Sequence, residues 1–72
     1  MEVLIFQTDI ETKTKVKSIR SSFNNHSGIL KWSIDIEDID NVLRIEAVSH
    51  SLQNDIINLA NTRGFNIKLL PD

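Results

Sequence analysis

Hydrophobic positions along this chain fall into blocks with two different periods. The first block, Val3-Leu4-Ile5-Phe6, is apolar on both faces, so Glu2 to Gln7 reads as a central strand with little solvent contact. A polar loop follows, Thr8-Asp9-Ile10-Glu11-Thr12. Thr8 and Glu11 stand at capping-box spacing, and Asp9 is an equally good cap. The next apolar positions, Val16, Ile19 and Phe23, recur at three and four residues, which predicts a helix from Ile10 or Thr12 to Phe23. Asn24-Asn25-His26-Ser27-Gly28 ends it.

From Leu30 the period drops to two. Leu30, Trp32, Ile34 and Ile36 face one way, Lys31, Ser33 and Asp35 the other. Glu37-Asp38-Ile39-Asp40-Asn41 makes an acidic turn into a strand from Val42 to Val48, with Leu43, Ile45 and Ala47 inward and Arg44 and Glu46 outward. Ser49 or Ser51 starts a second helix carrying Leu52, Ile56, Leu59, Ala60 and Arg63 on one side, and Gly64 ends it. Phe65 to Leu69 alternates again as a last strand, and Pro71-Asp72 is a tail. The order strand, helix, strand, strand, helix, strand predicts an α+β, ferredoxin-like βαββαβ sandwich. Its four-stranded antiparallel sheet would carry the first and third strands in the middle and both helices on one face.

Composition narrows the function. The 72 residues make a single domain, 1–72, with a thin core. With no cysteine, disulfides, thiolate metal sites and thiol catalysis are all excluded. A net charge of −2 argues against a general nucleic-acid binder. No apolar run approaches the roughly 20 residues that span a bilayer, and no secretory signal is apparent, so the expected setting is cytoplasmic. Two glycines leave no room for a phosphate-binding loop. No Ser–His–Asp set or paired-carboxylate cleft is recognisable, so no enzyme activity and no cofactor are expected.

The element order, Thr8 at the first strand's end, Gly28-Ile29 before the second, the alternation Trp32-Ser33-Ile34-Asp35-Ile36 and Gly64-Phe65 near the end together resemble the heavy-metal-associated domain of copper chaperones and metal-ATPase tails. The resemblance covers nearly the whole chain. The family's loop, Met-Thr-Cys-x-x-Cys, falls on Gln7 to Thr12, where only the threonine is kept. It places the two metal ligands at Asp9 and Thr12 and a buried methionine at Gln7. Copper(I) is soft and wants thiolates; a carboxylate and a neutral hydroxyl are poor substitutes. Two other users of the architecture, amino-acid-sensing domains and RNA-recognition modules, fit less well. The RNA module needs aromatics on both central strands, and Val42 to Val48 has none.

Several groups remain as candidates. Asp9 and Glu11 fit helix capping. With Glu37, Asp38 and Asp40 they would also form an acidic end able to hold a hard cation weakly or dock a basic partner. His26 and His50 lie in loops at the opposite end, where two imidazoles could begin a zinc site. Lys13, Lys17 and Arg20 form a basic stripe on the first helix; the resemblance implies that such a stripe can be an electrostatic docking surface. If Val3 and Ile5 turn toward the helices, Leu4 and Phe6 point out from the open sheet face beside Arg44 and Glu46. The expected function is a non-catalytic interaction or regulatory module, meeting a protein partner or a second copy through that face and carrying no metal ion. The alternative is metal binding or transport by the Asp9 loop or the two histidines.

Overall fold

The computed structural model describes residues 2–70; Met1, Pro71 and Asp72, with the expected tail, lie outside them. The elements are β1 (Glu2–Thr8), α1 (Lys13–Asn24), β2 (Ile29–Ile34), β3 (Leu43–Ala47), α2 (Gln53–Thr62) and β4 (Ile67–Leu69), with a short 3-10 turn at His50–Leu52 leading into α2. The strands form one antiparallel sheet in the order β2-β3-β1-β4, the ferredoxin-like arrangement with β1 and β3 inside. Ile19 and Phe23 of α1 and Ile56 and Ala60 of α2 share one core with Leu4, Phe6, Leu43 and Ile45 of the sheet. Both helices therefore cover the same face, and the other face is open.

Helix boundaries follow from local hydrogen bonding. Thr12 caps α1, its Oγ1 accepting from the Lys15 amide at 3.1 Å. The Thr8–Glu11 box does not form, because the chain needs four more residues to turn from β1 into the helix. Instead Thr8 Oγ1 accepts from the Ile10 amide at 3.1 Å and donates to the Asn41 carbonyl at 2.7 Å. Ser49 caps the 3-10 turn, accepting from Ser51 N. At the end of α2, Gly64 N–H reaches the Asn61 carbonyl at 2.9 Å and Phe65 N–H the Ala60 carbonyl at 3.0 Å. That is a Schellman motif, and it needs the φ of +86° that Gly64 adopts.

The phase of β1 is opposite to expectation. Leu4 is 2% exposed and Phe6 0%, both in the core, whereas Val3 is 38% exposed. Leu4 lies opposite Ile45, and Phe6 opposite Leu43 on one side and Leu69 on the other. The larger apolar side chains fill the space beneath the helices, where a buried leucine or phenylalanine contributes about 1.5–3 kcal/mol. Leu4 and Phe6 are therefore removed from the proposed interaction surface. Gln7 is exposed as well, not buried as the methionine position of the resemblance implies. Leu30 departs too: the β2–β3 register slips between Ile29 and Lys31, and this bulge leaves Leu30 55% exposed. Trp32 faces in as expected. Its ring meets Phe23 edge-on at 5.3 Å, and its Nε1 donates to Asn24 Oδ1 at 2.8 Å.

Candidate functional site

The first loop is closed by its own side chains. Asp9 Oδ1 accepts from the Asn66 amide at 2.9 Å and Oδ2 from Asn66 Nδ2 at 3.2 Å, while Asp9 N–H donates to the Asn66 carbonyl at 3.2 Å. This ties the loop to the residue just before β4. Gln7 Nε2 donates to Asp40 Oδ1 at 3.0 Å, and Thr8 N–H to the Asp40 carbonyl at 3.1 Å, tying β1 to the β2–β3 turn. With Thr12 capping α1, all three positions where the resemblance places metal chemistry, Gln7, Asp9 and Thr12, accept or donate an internal hydrogen bond. They offer no soft donor, so they do not fit copper(I). A shallow hollow of about 240 Å³ remains beside the loop, lined by Gln7, Thr8, Asp9, Asn66, Ile67 and Lys68.

The acidic residues at this end do not converge. Asp40 faces Gln7, Asp38 Oδ1 accepts from Asp40 N, and Asp35 Oδ1 accepts from Glu37 N. Glu11 meets Lys15 Nζ at 2.9 Å. That hydrogen bond, aided by the charges of Glu11 and Asp9 against the cost of partial burial, raises the Lys15 pKa above its ordinary value. Among the described residues no three His, Cys, Asp or Glu side chains are placed to hold a metal ion.

The histidines are drawn to different carboxylates. His26 Nδ1 accepts from the Gly28 amide at 3.0 Å, and its Nε2 lies 3.6 Å from Asp55 Oδ2 of α2. His50 Nδ1 lies 3.4 Å from Glu2 Oε2 of β1. The Gly28 amide thus occupies the Nδ1 lone pair of His26. Each imidazole faces a carboxylate of its own.

Arg44 and Glu46 lie on the open face, where Ile5 pairs with Arg44 and Val3 with Glu46. The apolar pair there is thus Val3, which is exposed, and Ile5, which is half-buried, one residue out of phase with expectation. The basic stripe is exposed, but it runs along the flank of α1 that faces β2 and not along the helix's outer side. Sequence reading missed what lies next to it. Lys13, Lys17 and Arg20 border a groove of about 210 Å³ whose floor is Val16 of α1 with Ile34 at the end of β2 and Ile36 just beyond it. Val16 and Ile34 are packed against the core, yet their outer edges line the groove. The alternation of Ile34 and Ile36 marked them as inward; only the helix position shows that α1 does not cover them fully.

This two-helix, four-stranded frame superposes on solved copper-handling domains over almost its whole length. The yeast copper transporter domain CCC2A matches with a TM-score of 0.83 at 15% identity, covering 100% of this chain and 99% of that one. A copper binding domain from HMA7, a P-type ATPase, matches with a TM-score of 0.80 at 19% identity, covering 99% and 96%. The first domain of the human copper chaperone for SOD1, in its copper(I) loaded form, matches at 0.75 and 18% identity, covering 93% and 89%. The fold is that of a heavy-metal-associated domain. No protein-family model matches the sequence, and no curated protein does. The likeness thus resides in backbone geometry, at identities that fix the fold alone. Among the described residues no helix is long and apolar enough to cross a membrane.

Proposed function

We propose that this chain is a non-catalytic module on the heavy-metal-associated frame that has left soft-metal carriage and works by contact with another protein. One observation supports the reading above the others: the Asp9 carboxylate is held at both oxygens by Asn66. A metal-carrying loop must open to exchange its cargo. This loop instead anchors β4, and its second ligand position, Thr12, caps α1. Copper(I), named for the yeast and human domains of the same fold, finds no thiolate here, since the chain has no cysteine. A non-thiolate site at Asp9, His26 or His50 has less support, because each of those side chains already faces a partner of its own. A cytoplasmic setting, compatible with a cysteine-free chain, belongs to the same reading.

The test is competition for copper(I) against a chromophoric chelator under reducing conditions, with zinc and calcium followed by amide and imidazole shifts. The expected result is that the chelator keeps all of the copper and that neither ion produces a localised shift up to millimolar concentration. Stoichiometric copper(I) retained by the protein would overturn the proposal.

A further inference from the structure

We propose that the groove between α1 and β2 receives an acidic, extended segment of a partner protein, which adds to β2 as a fifth strand. The inference rests on the interaction reading above and names its surface and the chemistry of its partner.

Three observations converge there. First, β2 is an edge strand, paired only with β3. Asp35 N–H reaches the Val42 carbonyl at 2.9 Å, which makes Asp35/Val42, and by alternation Ser33/Arg44 and Lys31/Glu46, the hydrogen-bonded pairs. The backbone groups of Trp32 and Ile34 therefore point away from β3, along the free edge. Natural edges are usually blunted by a bulge, a proline or an inward charge. The bulge of β2 sits at Leu30, at the other end, and Trp32 to Ile36 contains no proline.

Second, the groove floor beside that edge is apolar. Val16, Ile34 and Ile36 present aliphatic carbon that neither helix covers completely. An added strand would direct alternate side chains onto this floor. Third, the rim carries one sign of charge. Lys13, Lys17 and Arg20 recur at four and three residues along α1. The ion pairs among the described residues engage Lys15, His26 and His50, and none of the rim cations. In a chain of net charge −2, these cations stand together without a carboxylate partner among the described residues. Asp35, just after β2, is exposed and accepts from Glu37 N. The complement of a cationic rim over an aliphatic floor beside an open strand edge is a strand with alternating carboxylates and aliphatics.

The probe is a blocked heptapeptide, Glu-Val-Glu-Ile-Glu-Val-Glu, titrated into the full-length, isotope-labelled protein. The expected result is amide shifts confined to 13–20 and 32–36, with new hydrogen-exchange protection at Trp32 and Ile34. Affinity should fall with added salt. Joint substitution Lys17→Glu and Arg20→Glu should weaken binding roughly tenfold while the remaining spectrum stays folded. A peptide with glutamine at every glutamate should weaken comparably. Absence of shifts at millimolar peptide overturns the inference, as do shifts centred on Val3, Ile5 and Arg44 or an affinity indifferent to charge reversal. Acetate reproducing the shifts would overturn strand addition. Concentration-dependent protection of Trp32 and Ile34 without peptide would assign the edge to a second copy instead. None of these outcomes bears on copper(I) retention, so the groove and the interaction reading fail separately.

Discussion

Leu4 and Phe6 lie on one face of β1, sealed beneath two helices, while Val3 and Ile5 on the other face look out over Arg44 and Glu46. All four are strong hydrophobes, adjacent in sequence, on a strand flanked on both sides. What separates the two pairs is the bulk of Phe6 and the polar residue that shares each face. Thr8 travels with Leu4 and Phe6, and its hydroxyl is fully employed by Ile10 N and the Asn41 carbonyl, so it can lie inside. Gln7 travels with Val3 and Ile5, and its amide reaches Asp40 from an exposed position. A central strand can thus be apolar throughout and still have one side that holds the molecule together and one that does not.

The sharpest way to break this contrast is at Phe6. Phe6→Ala should cost about 3–5 kcal/mol, enough to unfold a domain of this size. Phe6→Leu, losing less volume, should stay folded with a loss below about 1.5 kcal/mol, seen as a lower urea midpoint. If both variants denature like the parent, the inward face has been misassigned. Next is the polar end of the same face. Thr8→Val keeps the shape but leaves the Ile10 amide without its acceptor, for an expected loss of about 1–3 kcal/mol by chemical denaturation. On the opposite face, Ile5→Ser should change stability by less than about 1 kcal/mol. A loss as large as that of Thr8→Val would mean that the open face is covered by something. The smallest effect lies outside both faces, at Lys15. Its raised pKa means that its pairing with Glu11 favours the fold below the ordinary lysine value of 10.5 and fades as pH climbs through the raised one. Glu11→Gln should return the Lys15 titration toward 10.5 by NMR, with no measurable change in denaturation midpoint.

Much of this frame is legible in the sequence because the periods change where the elements change. The alternation of Trp32, Ile34 and Ile36, the three-four spacing of Val16, Ile19 and Phe23, and the Gly64 turn each specify an element locally. The phase of β1 is not specified that way, since four apolar residues in a row satisfy either orientation. The contrast between Gln7 and Thr8 at its end was the available signal. The bulge at Leu30 leaves no mark in composition. The bond between Asp9 and Asn66 joins residues 57 apart, and nothing in either neighbourhood announces it. The groove escaped for a related reason: Lys13, Lys17 and Arg20 are plain on the helix, but an uncovered floor exists only once α1 is set at its angle to β2.

Placing sulfur at positions 9 and 12 would not simply rebuild a carrier. Asp9→Cys would strip Asn66 of both acceptors and loosen the last strand, and Thr12→Cys would remove the cap of α1 at a cost of about 1 kcal/mol. The thiol pair and the laced corner are competing uses of the same few atoms. Each single substitution toward a thiol pair therefore meets a weaker fold before it meets a metal.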